Sequence, residues 1–375
     1  MVDNNIQWEA FTNSAAIVDV PNDTKVWFVR SGHAAKYWDD FLYNKYIGIE
    51  DEDIESYPID DPDIPLNLKT VQDYYRNELY KKMELQTSYD DLNQEEINKK
   101  KKSMKRSAGR RAGVIRTFRH EIQIGDLILS PGRGTSEFIL GIVTSGANKE
   151  KINHIKTDPA YEESNFSNIR HVSWLKRIAF SDIPNDVKFI RHGNGSIFDV
   201  SEHLTKLLPL FFNYYFFNNL FSARITVGTK KPVTTDSLYL LQKVIVETKN
   251  NPDVSISQKT KIESPGYIIL TSLVSEAATL LHVLNSLGIV GGLVFLVKYS
   301  DKVAGVLATI RDWNHHKKMN KIDEAKAHLS LLESIDQNGL TDKEKEDLNK
   351  SILKVVREFD LSNDSAGQDI NDEEL

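Results

Sequence analysis

Short runs of alternating apolar and polar residues fill the N-terminal half of the chain, separated by turn-forming residues. In TKVWFVRSG, Val26, Phe28 and Arg30 interleave with Trp27 and Val29 before Ser31 and Gly32 turn the chain, which predicts a strand with Arg30 at its solvent-facing end. Apolar positions then recur at three and four residues, at Ala34, Tyr37, Trp38, Phe41 and Leu42, one face of a helix. Ile47 and Ile49 resume a strand, and LKTVQDYYRNELYKKM predicts a short helix. IQIGDLILSPGRGTSEFILGIVTSG predicts a β-meander around the turn at Pro131, Gly132 and Gly134. NIRHVSWLKRIAF adds a strand in which His171, Ser173 and Lys176 interleave with Val172, Trp174 and Leu175. Regularly spaced short strands imply a small barrel or a strongly curved sheet.

The pattern changes in the C-terminal half. Seven aromatics fall within the eleven residues from Phe211 to Phe221, which reads as a buried helix joining two domains, with a membrane or partner surface as the alternative. The next stretch reads as strand, helix, strand. Thr235 or Asp236 would cap that helix, and Asn250, Asn251 and Pro252 would end it. From Ala277 to Val297 no residue is charged, and the run is long enough to cross a bilayer. His282, Asn285 and Ser286 interrupt it, and Gly288, Gly291 and Gly292 invite a turn that would make a buried helical hairpin. The basic residues Lys298, Lys302, Arg311, Lys317 and Lys318 all follow, so a true span would export the N-terminal domain. A polar helix carrying Leu329, Leu332, Leu348, Ile352 and Val355 is expected next, and five carboxylates after Leu361 predict a disordered acidic tail.

The expectation is therefore an α+β protein of several parts. These are an N-terminal tail (1–23), a curved-sheet or small-barrel domain with helices (24–200), an aromatic-rich connecting helix (201–222), a small α/β unit (223–270), a helical region with the apolar hairpin (271–360) and the tail (361–375). A length of 375 residues suits more than one core.

Charge changes the picture only locally. The net charge of −7 gives no global reason to bind nucleic acid or an anionic membrane. Eight acidic residues and two prolines between Glu50 and Asp63 predict a solvated loop. Between Lys99 and Arg119 there are ten Lys or Arg and no carboxylate, which reads either as a charged loop or as a phosphate-contacting surface carrying Lys99, Lys100, Lys101, Lys102, Lys105, Arg106, Arg110 and Arg111. Cysteine is absent, which excludes disulfides, cysteine-ligated metals and thiol nucleophiles. The first twenty residues lack the basic start and apolar core of a secretion signal, so a cytoplasmic protein is expected, with inner-membrane association through 277–297 as the alternative.

At KVWFVRSGHAAKYWDDFLYNKYIGI the chain resembles the opening of the EVE/PUA-like modules that precede nuclease domains in Mrr-type restriction proteins and other prokaryotic defence proteins. The likeness rests on Val29, Arg30, Ser31 and Gly32, then Tyr37, Asp40 and Phe41, then Ile47 and Gly48. IQIGDLIL, ILGIVTS, IRHVSWLKRI and GNGSIFDV follow in the family's order, so the resemblance covers about half of the chain. It departs after Gly48, where Ile49 and an acidic insertion stand in place of the usual tryptophan. The resemblance implies a pocket that encloses a flat ring between aromatic walls and hydrogen-bonds its edge. Residues of this chain suited to that role are Trp27, Arg30, Ser31, Trp38, Arg133 and Trp174, with Arg30 foremost and with burial in the core as the other reading of Trp38.

No complete catalytic constellation is visible. VIVETK resembles an apolar strand ending in Glu247-x-Lys249, with Asp236 eleven residues earlier, as in PD-(D/E)xK nucleases, where two carboxylates hold a divalent metal such as Mg and lysine assists the attacking water. Against this, Leu238, Leu241, Val244, Ile245 and Thr248 suit one helical face, which would leave Asp236, Glu247 and Lys249 on a helix surface. SPGRGTSE lacks the Gly-Lys-Ser/Thr end of a phosphate loop, and the adjacent His315 and His316 cannot share a metal within a helix.

Three functions follow. The leading one is a recognition protein of antiviral defence that binds modified nucleic acid or a nucleotide, needs no metal or cofactor, and acts through a homo-oligomer or a partner protein. The alternatives are the metal-dependent nuclease and a membrane-acting effector using 277–297.

Overall fold

The computed structural model describes residues 15–50, 54–58, 66–90, 92–150, 152, 162–166, 168–193, 195–227, 234–249, 253–261, 266–287, 294–298 and 361–362. In chain order, β1 (Ala15–Asp19) and β2 (Val26–Val29) precede a 3-10 turn at His33–Ala35, α1 (Trp38–Tyr43) and β3 (Tyr46–Ile49). A helical pair follows, α2 (Leu68–Leu85) and α3 (Gln94–Arg116). Next come β4 (Leu127–Pro131), β5 (Glu137–Val143), β6 (Asn148–Lys149), β7 (Asn168–Ala179) and β8 (Ile197–Asp199). The remainder comprises α4 (Leu204–Phe211), β9 (Tyr214–Phe217), β10 (Leu220–Val227), α5 (Thr235–Thr248), β11 (Ser257–Lys261), β12 (Gly266–Leu273), α6 (Ala277–Ser286), β13 (Val294–Lys298) and β14 (Leu361–Ser362). The protein is α+β, as its strand and helix periods predict.

These elements form two compact units. One runs from Lys25 to Leu204; the other joins β1 to the elements from α4 onward.

In the first unit a curled half-barrel sheet has the order β3-β7-β5-β4-β2-β8, with β6 added beside β7. β2 and β4 run parallel, and every other neighbour is antiparallel. One sheet face, with Trp27, Val29, Ile128, Val143 and Val172, shares a core with the helical pair. α2 contributes Val71, Tyr75 and Leu79 at a spacing of four, and α3 contributes Met104, Ala108, Ala112 and Ile115. Alanines in the seam let the two helices approach closely, and burial of each larger side chain contributes roughly 1.5–3 kcal/mol. Both helices start on asparagine caps: Asn67 accepts from Lys69 N and Thr70 N, and Asn93 pairs reciprocally with Glu96 in a capping box.

The basic block is thus a helix and not a loop. Its lysines and arginines are good helix formers, and Met104, Ala108, Ala112 and Ile115 keep a helical period that the run of charge obscures.

The second unit has a sheet of order β11-β12-β10-β9-β1-β13, with β14 on β10. β1 lies parallel to both β9 and β13, so part of the expected N-terminal tail is a central strand. The aromatic run is not one helix. It ends α4 at Phe211 and then folds back as the β9–β10 hairpin, whose two-residue loop places Asn218 and Asn219 at φ 50° and 59°. Two asparagines tolerate positive φ in a tight hairpin turn, and the flanking aromatics favour strands. α5 and α6 pack on this sheet through Leu241, Val244, Ile245, Leu280, Val283 and Leu284.

The uncharged run makes α6 and then β13, so a helical hairpin is not what it forms. Among the described residues no helix is long and apolar enough to cross a membrane. The expected polar helix at 329–355, His315, His316 and all of the acidic tail beyond Ser362 lie outside the described residues.

In the first unit the hydroxyl of Tyr75 meets Nε2 of His120 at 2.9 Å. Burial, reinforced by Arg119 and Arg170, holds the His120 pKa below its ordinary 6.5. Folding therefore favours the neutral ring. Its contribution is complete above the unfolded pKa and is lost as pH falls below that value toward the folded one. The urea midpoint of the intact chain should drop between about pH 7 and pH 5 by more than that of His120→Asn; parallel slopes would remove His120 from the acid response.

Candidate functional site

α1 spans only six residues, too few to persist without tertiary anchors. Its anchor is Asp40, whose side chain is buried. Oδ2 accepts from Tyr46 Oη at 2.5 Å and from Ser164 N at 2.8 Å, and Oδ1 accepts from Asn44 Nδ2 at 2.8 Å. Tyr46 Oη also lies 2.6 Å from Ser164 Oγ. This network fastens α1 to β3 and to the strand-flanking segment at Ser164, and it aims Trp38 at the sheet.

Beneath Trp38 the sheet registers Ser130 of β4 against Ile139 of β5, and Ile139 against Arg177 of β7. Trp38 packs on Ile139, and the Arg177 guanidinium lies 5.1 Å from the centre of its indole. A β-bulge follows: Leu140 pairs with Lys176, but Gly141 pairs with Trp174. The extra residue puts Trp174 and Arg177 on the same face although they are three apart, where a regular strand would oppose them. Trp174 joins Trp38 and Ile139, and its Nε1 donates to Phe41 O at 2.9 Å. Gly141 makes room for that ring, since a Cβ there would stand 2.5 Å from Trp174 Cε3 and from Val172 Cγ1.

Ser31 lies just beyond β2, the parallel neighbour of β4. Its carbonyl accepts from Tyr37 N at 2.9 Å, tying it to the start of α1. Four buried polar atoms in this neighbourhood have no hydrogen-bond partner among the described residues: Ser31 Oγ, Ser130 Oγ, Trp38 Nε1 and Arg177 Nε. Ser31 and Ser130 are 0 % exposed and Trp38 is 5 % exposed, so solvent does not satisfy them. Each such atom costs about 1–3 kcal/mol, and four of them in the neighbourhood of α1 make this the candidate site.

The rim is unusual too. The turn after β2 and the turn after β4 lie against each other. Ala34, Ala35 and Thr135 all have φ between 54° and 57°, a left-handed region that costs non-glycine residues about 1–2 kcal/mol. Arg133 bridges the turns to α1 through a 2.9 Å ion pair with Asp39.

Of the residues expected from sequence, Ser31, Trp38 and Trp174 come together here and Arg133 stands at the edge. Trp27 does not. It is buried in the core shared with α2 and α3, and its Nε1 donates to Asp126 Oδ2 at 2.7 Å. Burial pushes the Asp126 carboxyl up from its ordinary value, against hydrogen bonds from Gln123 N, Trp27 and Lys25 N that pull it down. Arg30 is no free strand end either. It is half-buried over Phe28 and donates to the carbonyls of Gly193 at 2.8 Å, Gly195 at 3.3 Å and Arg191 at 3.3 Å, which secures the turn before β8. Ser130 and Arg177 were missed, because the site-facing parity of Arg177 exists only through the bulge.

The basic residues sort by their place on α3. Lys99 pairs with Glu95 at 3.0 Å and Lys101 with Glu84 at 3.1 Å. Lys100 and Lys105 lie over the rings of Tyr89 and Tyr80, and Arg111 is half-buried. Lys102, Arg106 and Arg110 are exposed, follow one another at a spacing of four, and carry no ion pair among the described residues. They line the side of α3 opposite Met104 and Ala108.

The nuclease geometry does not form. VIVETK is the end of α5, so Asp236 stands in its first turn behind the Thr234 cap and Glu247 in its last. Glu247 lies 3.6 Å from Lys243, and Lys249 Nζ donates to Val254 O at 2.9 Å. The face of Leu241, Val244, Ile245 and Thr248 is buried, which is what placed the segment in a helix. Among the described residues no group of three or more His, Asp or Glu could hold a metal.

A family model described as Domain of unknown function (DUF8426) matches residues 44–193, inside the first unit. No curated protein and no solved structure matches the chain.

Gly141→Ala should unfold at lower urea, a loss of about 1–3 kcal/mol, and should shift tryptophan emission as Trp174 is displaced. An unchanged midpoint and spectrum would show that the bulge does not hold Trp174.

Proposed function

We propose that the Lys25–Leu204 unit is a recognition module that takes a nucleobase or nucleotide ring against Trp38 and Trp174, and that it serves prokaryotic antiviral defence. One observation carries the reading: Trp38 and Trp174 share one sheet face, and Trp38 Nε1, Arg177 Nε and the hydroxyls of Ser31 and Ser130 are buried there without a hydrogen-bond partner among the described residues. Aromatic faces supply stacking, worth about 1–3 kcal/mol per base, and polar groups kept dry supply orientation. Arg177 rests on the indole where a flat ring would lie, so ring entry exchanges one planar partner for another. The likeness of the N-terminal half to EVE/PUA-like modules supports both the ligand class and the setting. The exposed Lys102, Arg106 and Arg110 extend the reading to a polymer, since basic side chains at one-turn intervals suit a phosphate backbone.

Ser130→Ala separates a ligand site from mere imperfect packing. Removing an unsatisfied buried hydroxyl should stabilise the intact chain by up to about 1 kcal/mol in urea. The same variant should bind nucleotides several-fold more weakly by calorimetry. A variant that is more stable and binds equally well would take Ser130 out of the site.

Replacing Lys102, Arg106 and Arg110 together by glutamine should weaken duplex or single-stranded DNA binding uniformly across sequences. The slope of log K against log salt should shrink by about 2–3. An unaltered slope would leave α3 as a solvated surface.

A further inference from the structure

The unsatisfied atoms are not chemically alike, and that narrows what the ring must show them. We propose that the site selects rings presenting carbonyl oxygens, oxopurines and pyrimidinediones, over rings presenting exocyclic amino groups. This rests on the nucleobase reading above and goes further by naming the edge that is read.

Trp38 Nε1 and Arg177 Nε each carry one hydrogen and can only donate. They cannot satisfy each other. The hydroxyls of Ser31 and Ser130 can donate or accept, so they adapt to whichever partner arrives. A set with two obligate donors and two adaptable groups has a surplus of donors. Its complement is an acceptor-rich edge: the O6 and N7 of a 6-oxopurine, or the two ring carbonyls of uracil or thymine. The exocyclic amino group of adenine or cytosine would set donor against donor and leave at least one of them buried and unpaired. Arg177 adds a second preference in the same direction, because the guanidinium that the ring displaces from the Trp38 face keeps its charge beside the ring and favours electron-rich oxygen over an amino group. Asp40, the nearest buried carboxylate on α1, is committed to Tyr46, Asn44 and Ser164, and so does not offset the surplus.

Inosine against adenosine and uridine against cytidine test this selection, since each pair exchanges a carbonyl for an amino group, and the adjacent ring N–H for a lone pair, on a nearly constant shape. The intact protein is titrated with the four bases as 5′-monophosphates, and with each as the central base of one single-stranded oligonucleotide, by calorimetry and tryptophan emission. Inosine and uridine should bind at least tenfold tighter than their amino partners. Arg177→Met and Trp38→Phe, checked for folding by circular dichroism, should each bring the ratio to within about threefold by removing one donor. Equal affinity within both pairs, or a preference for adenosine and cytidine, overturns this inference while the nucleobase reading stands. Absence of binding by all four bases in both forms overturns the two together. A ratio that survives in both variants shows that the selection arises elsewhere and overturns the assignment to these donors.

Discussion

A buried carboxylate held by a tyrosine hydroxyl, an asparagine amide and a backbone amide fixes the position of α1, and most of the candidate site depends on that position. Helices of six residues have no stability of their own, so the orientation of Trp38 comes from outside the helix. Asp40 supplies it by reaching Tyr46 on β3 and Ser164 on a separate segment. With α1 so placed, Trp38 covers Ile139 and Arg177, Phe41 O receives the Trp174 indole, and Asp39 meets Arg133 at the rim. One acidic side chain, buried and hydrogen-bonded, thereby organises several neighbours that are buried and unsatisfied. Satisfied polar networks rigidify, and a rigid frame is what allows unsatisfied atoms to persist without the chain collapsing around them.

The strands of the first unit were legible because the period-two pattern is preserved wherever one sheet face is buried and turns carry glycine or proline. The β4–β5 hairpin and β7 are read almost directly from their residues. Within the site, Ser31, Trp38 and Trp174 were reached through a family resemblance. Arg177 was not, for a reason that alternation itself explains. Counting by twos from Trp174 puts Arg177 on the opposite face, and only a bulge detected in three dimensions reverses the count. Composition misled in two other places. Clustered positive charge hid the helical seam of α3, and clustered aromatics hid the two asparagines that fold β9 onto β10. Pairings between distant segments, such as β1 with β13, leave no local trace at all.

Of the two sequence likenesses to restriction-type proteins, the nuclease pattern is the one that the fold overturns. The acidic and basic residues near VIVETK satisfy a nuclease pattern in one dimension, yet the segment obeys the stronger demand of burying Leu241, Val244 and Ile245 on one helical face. Once helical, Asp236 and Glu247 stand eleven residues apart at opposite ends of α5, about 16 Å along its axis at the usual rise per residue, too far to share an ion. The helical period was already present beside the motif. Where a short motif and an amphipathic period disagree, the period reports the larger free energy, because several buried side chains outweigh a few surface ones.

The parallel alignment of β1 between β9 and β13 has a consequence for how the chain acquires its structure. The second unit needs a strand from the beginning of the sequence and another from almost three hundred residues later, with the whole first unit intervening. Contacts that close so long a loop form slowly, whereas the first unit contains both partners of every one of its sheet pairings between Val26 and Asp199. During synthesis the first unit can therefore complete itself while β1 waits unpaired, its hydrogen-bonding edges open until the last strands emerge. The Lys25–Leu204 unit can thus be complete before the unit whose segments flank it in sequence, and β1 stays uncovered from its own synthesis until β9 and β13 are made.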